Sequence, residues 1–177
     1  TGRTFVRDQA TYDAIFDAPA LQAFTNDEFY LRMVDGFNGQ IVDVSGVYYQ
    51  TYSTSQANPG PEPEFYNLYK DDDVRKNTFF RTKTDGSLIY DKYNLSDSPY
   101  ASWGLANGGI IMLFRTAETQ LIKAEALCRL GKTTEAKEAL NKFKQGRYLD
   151  IEGSYTESDL LNEILKERKL EFYHEQD

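Results

Sequence analysis

The spacing of apolar positions divides the chain into two unlike parts. After about residue 110, apolar residues recur three and four positions apart, which is the spacing that gives an α-helix one buried face. The pattern predicts a helix over Ile111–Leu130 that ends at Gly131. A second helix is predicted after Thr133, with Thr133 or Thr134 as its N-cap, and a third near Thr156. This part of the chain is therefore predicted to form three helices, with a connection over Tyr148–Tyr155 before the third.

The packing faces of these helices combine small and large apolar side chains. We predict one face on the second helix and one on the third, formed respectively by Ala136, Ala139, Leu140 and Phe143, and by Leu160, Leu161, Ile164 and Leu165. A helix pair with alanine at the contact resembles one tetratricopeptide-type unit, because small side chains let the backbones approach closely. One pair cannot bury its apolar face alone, so we expect it to pack against another part of the protein.

The first 109 residues carry shorter and more mixed signals. They predict a helix over 9–24 broken at Pro19, short strands over 28–34 and 41–52, and a proline-rich loop over 53–63. The stretch 64–109 reads as irregular, with turns at Asp85-Gly86 and Asn107-Gly108-Gly109. Long ordered loops often carry function, so we expect the loops of this part to bear the binding chemistry.

Composition excludes several classes of protein. The net charge of -8 leaves no basic face for DNA or RNA. No apolar run approaches the ~20 residues of a membrane helix. Cys128 is the single cysteine, so an internal disulfide is impossible, and we expect it to be a buried apolar residue. His174 is the single histidine, so no histidine-based metal cage can form within the chain, and we expect it at the surface.

Recognised catalytic motifs are also missing from the sequence. It contains no nucleophile elbow, no P-loop and no dinucleotide fingerprint. The acidic run Asp71–Asp73 lacks the glycine and glutamate that a calcium loop of the EF-hand type requires, so we predict a solvated acidic turn there. We therefore expect neither a cofactor nor a metal.

Three blocks of sequence, taken in order, resemble the SusD/RagB family of outer-membrane nutrient-binding lipoproteins. The first consists of Asp73-Val74-Arg75 and Asp91-Lys92-Tyr93. The second is a signature helix that reads Leu113-Phe114-Arg115-x-Ala117-Glu118-x-x-Leu121-Ile122-x-Ala124-Glu125-Ala126, followed by Ala139-Leu140-Asn141. The third is Leu161-x-x-Ile164-Leu165-x-Glu167-Arg168-Lys169-x-Glu171-Phe172. The resemblance spans Asp73 to the C-terminus, whereas residues 1–60 match nothing in the family.

The sequence departs from the family pattern at two places. Where the family has an Asn-x-x-Arg-x-Arg run, Asn141–Arg147 keeps the asparagine and one late arginine. Where the family continues with Gly-x-Arg, the chain ends in Gln176-Asp177. The chain also begins at Thr1 without methionine, so we expect a fragment cut at both ends.

The resemblance implies a mainly α, SusD-like fold with tetratricopeptide-type helical pairs, long irregular loop insertions and minor β structure. Residues 1–177 would form a single C-terminal region, in which 1–109 is loop-rich and faces the ligand and 110–177 is the helical scaffold. The implied function is non-catalytic binding of an oligosaccharide or another nutrient at the cell surface. Delivery would be to a SusC-like, TonB-dependent transporter, and the outer membrane would be reached through a lipid anchor outside these residues.

The candidate ligand-binding residues come from sugar chemistry and not from the helical motifs. A pyranose ring presents an apolar face ringed by hydroxyl groups, which aromatic side chains flanked by amides and charges can bind. The candidates are Trp103, Tyr100 and Asn107 on a glycine-rich loop, Tyr48, Tyr49 and Tyr52 before the proline-rich loop, and Arg81 after two phenylalanines. Core packing is the alternative for Trp103, and strand packing is the alternative for the tyrosine cluster.

The charged residues of the family-like helices allow two interpretations. Glu167, Arg168 and Glu171 share one helix, and Arg115 and Glu118 share another. We predict that they form ion pairs that hold helices together. A glycosidase using Glu167 and Glu171 is an alternative, although one helical turn points both side chains the same way. A tetratricopeptide-like adaptor for a peptide or protein partner is another alternative, but residues 1–110 show no helical pairs at a fixed period.

Overall fold

The structure, a computed structural model, describes residues 8–16, 29–34, 60–90, 92, 110–148 and 157–173. The helices within these ranges are α1 (Gln9–Phe16), α2 (Pro63–Tyr66), α3 (Val74–Phe79), α4 (Thr116–Arg129), α5 (Thr133–Lys144) and α6 (Glu157–Glu171). The strands are β1 (Phe29–Val34), β2 (Phe80–Thr82), β3 (Leu88–Tyr90) and β4 (Ile110–Arg115). The mainly α fold with minor β structure is confirmed.

Helices α4, α5 and α6 pack together around a core of small and medium-sized side chains. We call this cluster the alanine–leucine core; it consists of Ala117, Leu121, Ala124, Ala136, Ala139, Leu140, Phe143, Leu160, Ile164 and Phe172. Alanine recurs on the facing sides of α4 and α5, which allows the two backbones to lie close together. The predicted packing face of α5 is confirmed, since all four of its predicted residues are buried.

The turn between α4 and α5 has the geometry of a Schellman motif. Gly131 has a positive φ of 72°. Its N–H donates to the carbonyl of Cys128 (3.0 Å), and the N–H of Lys132 donates to the carbonyl of Leu127 (2.9 Å). These bonds satisfy carbonyls that a helix end leaves without partners, and glycine adopts the required conformation without a Cβ clash. The glycine stop predicted from the sequence is confirmed.

Three details of the predicted helices are wrong. The predicted first helix begins five residues too early, because residues 110–115 form β4, which pairs antiparallel with β1. A short apolar run is compatible with either helix or strand, and here the partner strand decides. The N-cap of α5 is Lys132, without a side-chain capping bond. On α6, Leu160 and Ile164 are buried, but Leu161 is half-buried and Leu165 is 40% exposed.

A second core lies against the other end of α6 and is rich in aromatic rings. This aromatic core consists of Tyr12, Ile15, Phe65, Tyr69, Val74, Phe79, Phe80, Tyr90 and Leu170. Rings meet edge to face, as for Phe65 with Tyr69 at 5.6 Å between centroids and for Tyr69 with Phe80 at 5.1 Å. Such pairs add specific contacts to the burial of large apolar surfaces. The stretch 64–109, predicted to be irregular, instead supplies α2, α3 and the β2–β3 hairpin within its described part.

The β2–β3 hairpin confirms the predicted Asp85-Gly86 turn. Gly86 has a φ of 84°, and the Asp85 carboxylate accepts hydrogen bonds from the Ser87 backbone N–H (2.8 Å) and hydroxyl (2.6 Å). The predicted helix near Gln9 is present over 9–16, and the strand predicted over 28–34 is present over 29–34. The proline-rich loop ends at Pro63, which occupies the first turn of α2. The strand predicted over 41–52 and the turn at 107–109 lie outside the described residues.

Candidate functional site

Most of the predicted ligand-binding residues lie outside the part of the chain that the structure describes. This applies to Trp103, Tyr100, Asn107, Tyr48, Tyr49 and Tyr52. The exception is Arg81, an exposed residue in the middle of β2, opposite Ile89 of β3. The structure therefore places Arg81 on a hairpin surface and leaves its grouping with the aromatic candidates as a prediction.

The described residues contain a concentration of ionisable groups that the sequence did not predict as a unit. We call it the charged centre; it consists of Asp73, Arg75, Arg115, Arg147, Glu167 and Glu171. Each of these residues is 1% exposed or less. Buried charges are tolerated in a protein only when they are paired and hydrogen-bonded, so their partners decide what the centre does.

Arg75 links the start of α3 to the middle of α6. Its guanidinium lies 2.7 Å from the Asp73 carboxylate and 2.8 Å from Glu167 Oε2. Asp73 also caps α3 by accepting a hydrogen bond from the Arg75 backbone N–H (3.0 Å). The Tyr148 hydroxyl accepts from Arg75 (2.7 Å) and donates to Glu167 Oε1 (2.7 Å). Burial alone would lower the pKa of Arg75, but Asp73, Tyr148 and Glu167 raise it well above its ordinary value.

Glu171, the last residue of α6, binds the other two arginines of the charged centre. Arg115 Nη1 donates to its Oε1 (2.6 Å), and Arg147 donates to both oxygens (2.9 and 3.0 Å). Arg75 Nη1 lies 3.6 Å from Glu171 Oε2. Burial by itself would raise the pKa of Glu171, but the charges of Arg147 and Arg115 outweigh it and hold that pKa well below its usual range.

Side chains from distant parts of the chain bind the last carbonyls of α6. The Tyr69 hydroxyl donates to the Leu170 carbonyl (2.8 Å), and Lys92 Nζ donates to the Glu171 carbonyl (2.8 Å). Just after the helix, the Tyr90 hydroxyl donates to the Tyr173 carbonyl (2.7 Å). The Leu170 and Glu171 carbonyls lie at the negative end of the helix dipole, so a cation is favourable there.

Aromatic rings lie against two arginines of the centre and against the neighbouring Lys92. Arg147 lies over the Tyr12 ring at 4.6 Å, Arg115 over Phe172 at 5.0 Å, and Lys92 over Phe79 at 4.1 Å. A cation over an aromatic face is attracted by the ring's electrons, and the attraction grows when water is excluded. The aromatic core thus supports the charged centre as well as burying apolar surface.

This arrangement can hold elements together but offers no access to a substrate. Glu167 and Glu171 have side chains that are 0% exposed, and their oxygens are already engaged by arginine and tyrosine. The prediction that the charges of these helices form ion pairs is confirmed for Arg115, Glu167 and Glu171. Among the described residues, no group of three or more His, Cys, Asp or Glu side chains could hold a metal ion. None of the helices in those ranges is long and apolar enough to span a membrane.

Sequence reasoning missed part of this centre. Asp73 was predicted to belong to a solvated acidic turn, which is wrong, because Asp73 is 1% exposed and bound to Arg75. A usable signal lay on α6, where Leu160, Ile164, Glu167 and Glu171 occupy one helical stripe. A carboxylate in a buried stripe requires a buried cation as its partner. Cys128 is half-buried and packs at the edge of the alanine–leucine core, so it is less buried than predicted.

The helices, the two cores and the charged centre define a helical scaffold within the described residues, and comparisons with known proteins identify the family of the chain. The model of the SusD family matches residues 42–177. The chain belongs to the SusD family. The match begins before residue 60, so the expectation that residues 1–60 lie wholly outside the resemblance is wrong.

Several known proteins resemble the chain in sequence or in structure. A SusD-like protein from Formosa agariphila is 42% identical over 74 residues, covering 37% of this chain and 15% of the relative. The crystal structure of a SusD-like carbohydrate binding protein from Bacteroides vulgatus has a TM-score of 0.69 at 24% identity, covering 97% of this chain and 36% of the other. Surface glycan-binding protein A from Bacteroides uniformis has a TM-score of 0.51 at 26% identity, covering 64% and 26%. The chain thus spans well under half the length of these relatives.

Proposed function

We propose that this chain is one region of a longer cell-surface protein that binds an oligosaccharide or a related nutrient without cleaving it. Family membership over residues 42–177 is the observation that carries the proposal. The structural relatives include one named as carbohydrate binding and one named as surface glycan-binding. Residues 110–177 would serve as the scaffold and 1–109 as the ligand-facing part.

Binding without bond cleavage is consistent with the charges that are described. The carboxylates that could have formed a glycosidase pair, Glu167 and Glu171, are buried and bound by arginines. An inverting or retaining glycosidase needs two carboxyl groups that flank an accessible sugar. A glycosidase would therefore have to use other carboxylates, so this alternative is less favoured than binding without cleavage.

We further propose that the bound nutrient passes to a SusC-like, TonB-dependent transporter, and that a lipid anchor outside these residues holds the protein at the outer membrane. Both follow from the family and not from a contact in this structure. Release would require only loss of stacking and hydrogen bonds, so the scaffold needs no catalytic group. Nucleic acid is not among the proposed partners, because the net charge is -8.

Calorimetry of the full-length protein that contains this chain, against soluble starch, laminarin, xylan and pectin, tests the proposal. We expect binding to at least one polysaccharide, and Trp103→Ala should weaken that binding about tenfold or more if Trp103 stacks on the sugar. Tyr66→Ala, at a half-buried aromatic that is not a candidate, is the matched control and should retain the affinity. Retention of affinity in Trp103→Ala would reject this site assignment alone.

The alternative function is a tetratricopeptide-like adaptor that binds a peptide or protein. The α4–α5 pair with its alanine contact favours this alternative, since it resembles one repeat unit. Against it, one pair is described where a repeat array would show several. Binding to none of the polysaccharides, together with tight binding to a peptide, would favour the adaptor over the glycan-binding protein.

A further inference from the structure

The first helix lies directly over one ion pair of the charged centre. Arg147 lies over the Tyr12 ring of α1 at 4.6 Å, and the Tyr12 hydroxyl lies 3.4 Å from Oε1 of Glu171. Arg147 Nε and Glu171 Oε2 are 2.9 Å apart, and all three residues are 0% exposed. Because α1 precedes residues 42–177, the match to the family model assigns it no role. One aromatic side chain of α1 thus contacts both members of a buried ion pair.

Two buried side chains hold α1 against the rest of the chain. Tyr12 and Ile15 are both 0% exposed and belong to the aromatic core. The Tyr12 ring also lies 6.2 Å from the Phe79 ring, between centroids. By contrast, the alanine–leucine core consists of residues of α4, α5 and α6 together with Phe172. That core would therefore keep all of its members if α1 moved away.

A network of hydrogen bonds closes the N-terminal end of α1 onto α3. We call it the polar latch; it consists of Gln9, Asp13, Thr78 and the Val74 carbonyl. Gln9 Nε2 donates to the Asp13 carboxylate (2.7 Å) and to the Val74 carbonyl (3.0 Å). The Thr78 hydroxyl lies 2.9 Å from Gln9 Nε2 and donates to the Asp13 carboxylate (2.6 Å). The three side chains are half-buried, so water competes for their hydrogen bonds and each bond contributes only modestly.

Helix α1 is too short to remain helical away from this position. It has 8 residues, and isolated helices shorter than about 12–15 residues are marginal in water. Asp8 caps it by accepting a hydrogen bond from the Thr11 backbone N–H (2.8 Å). One cap does not replace the contacts with the aromatic core, since most of the stability of a helix in a protein comes from packing. Undocking of α1 and loss of its helix are therefore one event.

We infer that α1 is a lid over the Arg147–Glu171 ion pair, and that it opens while α4, α5 and α6 stay folded. The lid is held by two buried side chains and by the polar latch, whereas the three helices share a core to which α1 contributes no residue. Short elements with few buried contacts open at a lower free energy than the core of a domain. The charged centre then has a sealed state and an open state in which water reaches Arg147. This inference does not depend on the proposed function.

Labelling of arginine by phenylglyoxal measures the open state, because the reagent reaches a guanidinium only where water can. The full-length protein that contains this chain is labelled, and mass spectrometry of its peptides locates the product. Arg115, which lies over Phe172 at 5.0 Å, is the internal reference. We expect Gln9→Ala to raise the labelling rate of Arg147 about fivefold, since the loss of one hydrogen bond shifts an opening equilibrium by about that factor. The labelling of Arg115 should not change.

A matched control exists for the glutamine of the polar latch. Gln120 Nε2 donates to the Ala139 carbonyl (2.8 Å), so it joins α4 to α5 as Gln9 joins α1 to α3. Gln120→Ala therefore removes the same amide group from another half-buried position between two helices. Because that position lies within the bundle and not at the lid, the labelling rate of Arg147 should stay close to the parent value.

A pair of threonine variants tests the polar latch without a change at Gln9. Thr78 Oγ1 lies 3.0 Å from the Val74 carbonyl, and Thr119 Oγ1 lies 2.9 Å from the Thr116 carbonyl, each about one helical turn earlier. Thr78→Val should raise the labelling of the lid arginine, because Thr78 belongs to the latch. Thr119→Val, on α4, should not. If Gln9→Ala fails to fold, this pair decides.

The outcomes separate a lid from an ordinary part of the fold. Equal labelling of Arg147 in Gln9→Ala and Gln120→Ala would overturn the lid. A joint rise at Arg147 and Arg115, with faster amide hydrogen exchange in α4 and α5, would also overturn it, because α1 would then support the bundle itself. A rise confined to Arg147, with unchanged amide exchange in α4 and α5, would establish the open state.

Discussion

The alanine–leucine core and the charged centre meet on the same helix but are built in opposite ways. On α6, Leu160 and Ile164 enter the first, and Glu167 and Glu171 enter the second. The alanine–leucine core is non-directional and joins three successive helices whose faces the sequence already shows. The charged centre is directional and joins residues from four separate stretches of the chain. The alanine–leucine core therefore holds the helical bundle together, whereas the charged centre determines which other parts of the chain are attached to that bundle.

The largest loss in the free energy of unfolding is expected when a buried ion pair of the charged centre loses one of its partners. Glu171→Gln leaves Arg115 and Arg147 buried without their counter-charge, and removal of one partner of a buried ion pair costs about 3–5 kcal/mol. Urea denaturation followed by circular dichroism measures the loss in the free energy of unfolding. Glu163→Gln on the same helix, at a partly exposed carboxylate, should lose clearly less. Equal losses would show that burial of the Glu171 pairs does not matter.

A cavity in the alanine–leucine core should have a comparable but more variable effect. Leu140 is 0% exposed, and replacement of a buried leucine by alanine costs about 2–5 kcal/mol, depending on how far the surroundings collapse. Leu165→Ala on α6 is the control, because Leu165 is 40% exposed. The same denaturation experiment checks both. A large loss in Leu165→Ala would contradict the face of α6 that the structure assigns to the core.

Low pH should reduce the stability that the charged centre contributes but not that of the alanine–leucine core, and this test removes no side chain. The pKa of Glu171 is lowered in the folded chain. At a pH below the ordinary pKa of 4.5, Glu171 is therefore protonated in the unfolded chain but stays ionised in the folded chain. The stability that Glu171 contributes is therefore present above about pH 4.5 and is lost as the pH falls towards the folded pKa, at about 1.4 kcal/mol for each unit of pKa difference. Denaturation curves at decreasing pH should show this loss in the parent and in Leu140→Ala. A Glu171→Gln chain that keeps the same acid dependence would contradict the assignment.

The smallest effect is expected at a surface ion pair. Arg129 lies 2.7 Å from Glu125 on the outside of α4, and its side chain is 58% exposed. Exposed pairs four residues apart on a helix contribute about 0.3–0.5 kcal/mol, and alanine is at least as good a helix former as arginine. Arg129→Ala should therefore change stability by less than about 0.5 kcal/mol. A loss as large as that of Glu171→Gln would show that burial is not what separates the two kinds of ion pair.

The sequence predicted the helical third more completely than the preceding part, for a physical reason. Helix α5 follows from spacing within twelve residues, because all its core positions lie on one face. By contrast, β4 is a strand because β1 pairs with it from far away in the chain. The candidate binding residues were chosen by chemistry, and among them the structure describes Arg81, which is exposed on β2. Their grouping into a site stays a prediction.

The sequence by itself determined the helical faces, the glycine stop at Gly131 and the motifs that identified the family. These depend on neighbours within one or two helical turns, where spacing alone fixes which side chains share a face. Only the tertiary structure decided that Asp73 is buried, that Arg75 meets Glu167, and that Lys92 and Arg115 both bind Glu171. These contacts join residues far apart in the chain, and a charge of either sign looks like a solvated surface residue until its buried partner is known.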